Sequence, residues 1–290
     1  MPEAPLPTRH VAEAVAAPAA SRASPWRRPL LLLALAGLFA LVGPWIAPQD
    51  PLWQDLAARN LPPQPGAWLG TDNLGRDVLS RLLAGARITV LVAGGATALA
   101  LAVGAGLGLA ALAAGALPAA LVFGLIDMIR ALPSVLLGLA LMVALGTGVG
   151  PVTIAIGLSF APTFAVVARQ AWLRERQAAY VEAAVASGTH PAVILRRHIA
   201  PNVAGALITQ AAIILPRAVT TESVLSFLGL GVSPETPTWG RMIAAGLPFV
   251  ERAPHAVLAP VVALSLLTLV LAVAGDHIRA AADPLRRGTG

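Results

Sequence analysis

The chain contains no cysteine and no lysine among its 290 residues. Without thiols it has no disulfide, zinc-finger or thiol-nucleophile chemistry of its own, although this absence carries no message about compartment. Without lysine, all 20 fixed positive charges are arginines, and the Walker A string GxxxxGK[ST] does not occur. Charge of both signs is scarce: 12% of residues, against about 25% in ordinary soluble domains. Aromatic residues make up 4%, with a single tyrosine. Apolar residues take their place, at 57%, a balance that belongs to a polytopic membrane protein. A net charge of +6 can mark a nucleic-acid binder. Here the arginines line no single amphipathic face, so they are read as loop charges and nucleic acid is not an expected partner.

In chain order, residues 1–25 are rich in Ala and Pro and are expected to form a disordered tail. Arg27 and Arg28 precede a first apolar run, Leu30 to Ile46. It resembles a signal peptide, but it is long for one and lacks a small-x-small cleavage site, so a retained helix is expected. Residues 47–87 are polar and should lie outside, their four arginines matched by Asp50, Asp55, Asp72 and Asp77. A second span is expected over Ile88–Leu112. Its Gly104, Gly106 and Gly108 form a GxGxG string, but no strand precedes it, so it signals close helix packing rather than nucleotide binding. A third helix should run from Ala119 to Leu145, with Asp127 and Arg130 pairing on one face and Pro133 kinking it. A fourth span covers Pro151–Ala168, a fifth Val203–Leu225 and a sixth Ala256–Ala274.

Six spans place both termini and the segment 169–201 on one side. That side carries four arginines in the N-terminal tail, five in 169–201 and three in the C-terminal tail, which makes it cytoplasmic. The six tryptophans fall at or beyond span ends, as an aromatic belt requires. Within 169–201, the alanine-rich Ala178–Ser187 is expected to be helical. Gly188 suits a left-handed helix stop, Pro191 should start a second short helix, and Pro201 should open the fifth span.

The pattern Glu182-Ala183-Ala184, three residues, Gly188, then Pro201 thirteen positions later resembles the EAA loop of ABC importer permeases. His198 and Ala200 depart from the general form, and the string RHIAPN is similar to the RHILPN version of the dipeptide, oligopeptide and nickel branch. Three more strings resemble the C-type transmembrane subunit of that branch: GTDNLGRD at 70–77 with Arg81; ESVLSFLGLG at 222–231 with TPTWG at 236–240; and Gly275-Asp276 with Arg279 and Asp283-Pro284.

The resemblance implies an all-α polytopic membrane protein with six transmembrane helices, a type I ABC importer permease fold with a cytoplasmic EAA coupling helix. It implies a division of the chain into a cytoplasmic tail (1–25), a first helix with its outer segment (26–87), a permease domain (88–275, with the elbow at 169–201) and a second tail (276–290). It implies residence in a bacterial-type inner membrane, a second homologous permease, two cytoplasmic ATPase subunits and an extracytoplasmic solute-binding protein. The chain itself would be a non-catalytic subunit without a cofactor, carrying di- or oligopeptides, a glutathione-like compound, nickel or a nickel chelate. ATPase coupling would fall to Glu182, Ala183, Ala184, Gly188 and Pro201.

Three groups of charges call for separate readings. Asp72, Arg76, Asp77 and Arg81 lack EF-hand spacing, so a structural network in the outer segment is expected ahead of calcium binding or substrate contact. Arg217 and Glu222 fall in the fifth apolar run, where charge is costly and often functional, which makes them candidates for the translocation path. Arg217 could equally snorkel or pair with a partner subunit. The five histidines have no ligand spacing, so no metal site is expected. Two other classes would leave different marks. A secondary transporter calls for inverted halves with charged midplane residues, and an intramembrane enzyme calls for clustered titratable groups; neither pattern stands out.

Overall fold

A computed structural model of the chain describes residues 26–233 and 235–282; the expected tail 1–25 and the Asp283-Pro284 string lie outside them. Ten α-helices follow in order: α1 (Arg27–Val42), α2 (Val78–Ala114), α3 (Ala116–Arg130), α4 (Ser134–Leu145), α5 (Val149–Arg176), α6 (Ala179–Ala186), α7 (Pro191–Ile194), α8 (Ala200–Phe227), α9 (Trp239–Gly246) and α10 (Pro254–Ala282). No strand occurs among the described residues beyond two isolated bridges, Gln64 with Ala67 and Thr71 with Asp77. Lipid offers no partner to an unpaired backbone amide, which is why an apolar chain of this kind resolves into helices. The first helix with its following turn, α2, α5, the α8 run and α10 are each long and apolar enough to cross a membrane. The bent pair α3–α4 is apolar enough only when its two helices are taken together, which brings the candidate crossings to as many as six.

Three elements differ from expectation for physical reasons. Helix α2 starts at Val78 rather than Ile88, because the Asp77 side chain caps it by accepting from the Ser80 amide; Arg81 and Arg87 then fit within the helix. The third crossing is broken rather than kinked: α3 and α4 meet at 95°. Pro133 lacks an amide hydrogen and pushes the preceding residue toward extended backbone, and its own ψ of 131° turns the chain out of α3. Asp127 and Arg130 do pair at 3.7 Å on the last turn of α3. Finally, Pro201 does fall in the first turn of α8, but no loop precedes it. A π-turn over Leu195–Ile199 joins α7 to α8, with the Ala200 amide donating to the Leu195 carbonyl. The wider turn lets the backbone pass Pro201 without a break.

The fold is organised by α2 and α5, its most extensive helix pair. Leu99 faces Gly157, Gly104 faces Ala161 and Gly108 faces Ala165, so the two helices run parallel. A Cβ built on Gly104 would lie 2.0 Å from the Ala161 carbonyl oxygen, whereas one on Gly106 would meet nothing within 4 Å. Two of the three glycines in the GxGxG string therefore serve close packing, and the third faces away. Helix α8 crosses both, and α10 closes against α8 with Gly275 on Ala212.

One end of the bundle gathers the 47–77 segment, α9 and the start of α10. There Trp239 Nε1 donates to the Leu82 carbonyl at 2.9 Å, and His255 Nε2 lies 3.1 Å from the Thr71 carbonyl oxygen. Because α2 and α5 are parallel, Arg176 and the elbow beyond it sit at the opposite end. Replacing Gly104 with valine should overpack this seam at a cost of about 1–3 kcal/mol. Gly106→Ala should be neutral, and thermal unfolding of the purified protein in detergent would compare the two.

Candidate functional site

The elbow grows out of the end of α5. Gln177 and Ala178 leave the helix, and Ala178 takes extended backbone (ψ 136°) before α6 begins. Helix α6 ends at Gly188, whose φ of 72° lies in the left-handed region. The Gly188 amide donates to the Val185 carbonyl and the Thr189 amide to the Ala184 carbonyl, which satisfies the last carbonyls of the helix. A Cβ at Gly188 would meet nothing within 4 Å, so the demand for glycine comes from the backbone angle alone.

Only Val181 of α6 is buried; it and half-buried Ala184 pack against the core. Ala179, Glu182 and Ala183 are exposed on the opposite face. Of the five residues expected at the docking surface, Glu182, Ala183, Gly188 and Pro201 are exposed and Ala184 turns partly inward. Arg174 and Arg176 at the end of α5 and Arg196 and Arg197 in the π-turn are exposed as well.

Beneath the elbow lies a polar junction that motif spacing does not reveal. Glu175 is buried at the end of α5. Its Oε2 accepts a hydrogen bond from the Tyr180 hydroxyl of α6 and another, at 2.9 Å, from Asn202 Nδ2 of α8. Asn202 Nδ2 also lies 3.1 Å from the Tyr180 oxygen and 3.0 Å from the His198 carbonyl. The Tyr180 and His198 rings are 5.6 Å apart. The hydrogen bond to the Glu175 carboxylate, followed by burial, raises the Tyr180 phenol above its ordinary pKa. Two sequence signals hinted at this junction: a lone acid between Arg174 and Arg176, and the only tyrosine in the chain.

At the other end, the outer segment folds on itself around Asp72. Its Oδ2 lies 2.7 Å from Arg76 Nε and 3.7 Å from Arg81 Nε, and its Oδ1 accepts from the Leu74 and Arg76 amides. Arg81 Nη1 donates to the Pro51 carbonyl at 2.9 Å. All three side chains are buried. Asp77 stands apart from this cluster. Its Oδ2 accepts from the Ser80 amide and hydroxyl, and Ser80 Oγ accepts from the Gln49 amide. Gly75 (φ 74°) completes the loop where a Cβ would lie 1.7 Å from the Asp55 carbonyl oxygen.

The structure separates Arg217 from Glu222. Arg217 is exposed on α8 and makes no ion pair with any described residue. Glu222 is fully enclosed between α2 and α8, accepting from Thr89 Oγ1 at 3.1 Å and Ser226 Oγ at 2.7 Å. The string that follows Glu222 is a packing device: a Cβ on Gly240 would lie 2.1 Å from the Ser223 carbonyl oxygen, and Thr238 caps α9.

Residues 102–288 match the family model described as binding-protein-dependent transport system inner membrane component. The chain belongs to this family. Among its relatives is a probable peptide ABC transporter permease of Sinorhizobium fredii, 38% identical over 263 residues, covering 89% of this chain and 90% of the relative. The di/tripeptide transport system permease DppC of Pseudomonas aeruginosa is 36% identical over 267 residues, covering 88% and 86%. The fold is that of the inward-facing MetNI methionine ABC transporter, with a TM-score of 0.57 at 20% identity over 69% of this chain and 96% of that one.

Replacing Asp72 with alanine should strand two buried guanidinium groups and cost about 3–5 kcal/mol. Asp77→Ala removes a helix cap, at about 0.5–2 kcal/mol. Thermal unfolding in detergent should rank Asp72→Ala well below Asp77→Ala.

Proposed function

We propose that this chain is one of two transmembrane subunits of an ATP-driven importer of di- and oligopeptides. The observation that carries this reading is its full-length similarity to peptide permeases, nine-tenths of the chain at 36–38% identity. Those relatives favour peptide over the nickel alternative. In this reading a second homologous permease completes the path, and an extracytoplasmic binding protein delivers substrate. Two cytoplasmic ATPases hydrolyse ATP, and the chain itself performs no chemistry. Both termini and the elbow at 169–201 face the cytoplasm, in line with the excess of arginines there.

The elbow supplies the ATPase contact through Glu182, Ala183, Ala184, Gly188 and Pro201. Helix α6 seats in an ATPase groove, where Ala179 and Ala183 permit close approach and the surrounding arginines contact acidic groups at the rim. ATP can drive transport only if the ATPases contact the permease differently in its two states. The elbow is the surface through which that difference is felt.

Arg217 lines the path. A guanidinium exposed on a membrane-crossing helix is costly in hydrocarbon and is stabilised where water or an anion meets it. A peptide carries a carboxylate that can do so, and Glu222 holds α8 against α2 behind it. The outer cluster of Asp72, Arg76 and Arg81 and the neighbouring helix cap Asp77 are structural, fixing the loop that leads into α2.

The direct test is uptake of labelled dialanine into proteoliposomes holding both permeases, the ATPases and the cognate binding protein. ATP-dependent uptake competed by dipeptides but not by nickel is the expected result; uptake of nickel alone would overturn the peptide assignment. In the same system Arg217→Ala should raise the KM for dialanine about tenfold, a scale appropriate to one lost charge-assisted contact. Gly188→Val forces a β-branched residue into the left-handed region and should lower ATPase co-purification and uptake together. Normal association and normal uptake in that variant would remove the elbow from the coupling path.

A further inference from the structure

The polar junction under the elbow suggests how motion is passed on once an ATPase has docked. Helix α6 is poorly anchored by itself. It spans eight residues, buries only Val181, and is flanked by extended Ala178 on one side and left-handed Gly188 on the other. Chain breaks at both ends would let the helix swivel and absorb a push instead of transmitting it. One set of directional bonds crosses both breaks. Glu175 stands before the first, Tyr180 lies between them, and Asn202 stands after the second, with all three polar groups meeting at Glu175 Oε2.

On the reading of the elbow as the docking surface, we infer that Glu175, Tyr180 and Asn202 form a coupling clasp that makes α6 move as one body with α5 and α8. These are positioning residues, acting through the helix they hold and touching neither ATP nor cargo. Several features suit them to this role. The carboxylate is buried, and hydrogen bonds to a charged acceptor are stronger than neutral ones. Both bonds converge on one oxygen, so α6 and α8 are registered to the same point on α5. Oε1 is left with one long contact, 3.5 Å from Arg174 Nε on an exposed arginine, so the clasp does not depend on it. Tyr180 also leans against His198 in the π-turn, which ties the clasp to the segment where α7 becomes α8. A carboxylate that accepts from both neighbouring elements can keep its partners while the three helices tilt together; a purely apolar contact would allow sliding.

The clasp predicts an order of effects among substitutions. Tyr180→Phe removes the Tyr180–Glu175 bond together with the Asn202–Tyr180 contact, and Asn202→Ala removes the Asn202–Glu175 bond together with that same contact. Glu175→Leu removes both bonds to Oε2. Glu175→Gln can place its amide oxygen where Oε2 sits and keep both, so it is the conservative rescue.

The chain has no native cysteine, so spin labels can be introduced at exposed Leu173 on α5 and Val185 on α6 without further changes. In the full permease–ATPase complex, the 173–185 distance distribution should be narrow for the otherwise unaltered protein and for Glu175→Gln. It should be markedly broader for Tyr180→Phe and Glu175→Leu. In parallel, ATP hydrolysed per dialanine imported should rise about tenfold for Tyr180→Phe, the scale of one lost hydrogen bond to a charged group, and stay near the parent value for Glu175→Gln. An unchanged distance distribution together with an unchanged coupling ratio in Tyr180→Phe would overturn the clasp. If the unaltered permease bound no ATPase, the docking reading would fail instead. The label distances, repeated on the permease without ATPases, would still decide whether the clasp exists.

Discussion

Everything in this protein depends on how closely two helix backbones can approach in a medium that gives them no hydrophobic reason to meet. Lipid tails are as apolar as leucine, so helix association rests on dispersion and geometry. Along α2 and α5 that approach is set by Gly104 against the Ala161 carbonyl and by Gly108 and Gly157 nearby. Once the seam is fixed, α8 crosses it and buries Glu222 against Thr89, α10 closes on α8, and α9 seals the end opposite the elbow over Gly85 and Leu82. The polar clusters sit at the two ends of this seam, where water or loop backbone can complete their hydrogen bonding.

The crossings and their order were legible in the sequence, because twenty or so consecutive apolar residues have few other fates. The elbow was legible because glycine at position 188 and proline at 191 punctuate a helix in a known way. Local chemistry that depends on a cap was less visible. Val78 became the start of α2 because Asp77 and Ser80 lie three apart, a signal present in the string but overshadowed by the arginines that follow. The break at Pro133 was underestimated, since a proline in an apolar run predicts a bend without giving its angle. Convergence in space was hidden: nothing in the spacing of Glu175, Tyr180 and Asn202 indicates that their polar atoms share one oxygen. Nor could composition tell that Arg217 faces outward while Glu222, five residues on, is sealed.

The elbow and the outer loop solve a common problem by different means. Both are irregular segments that must hold a fixed shape beside rigid helices. The outer loop uses buried charge: one aspartate collects two arginines and two backbone amides, and the glycine at 75 lets the chain pass beneath. The elbow keeps its charge mostly exposed and relies on one buried carboxylate. The difference fits the roles proposed for them, since a loop that only supports a helix can be locked in place, whereas a surface that is pushed must stay attached while it moves.

At the right-angled break between α3 and α4 the Ala131 and Leu132 amides meet the Asp127, Met128 and Ile129 carbonyls, but the first amides of α4 have no partners inside that helix. Hydrocarbon could not hydrate those amides, and the exposed Asp127–Arg130 pair would be equally ill suited to lipid. In the proposed assembly the second permease would cover this break. The lifetime of this chain as an orphan in the bilayer should be short, and its abundance in the cell would then be set by the supply of the protein surface that covers the break.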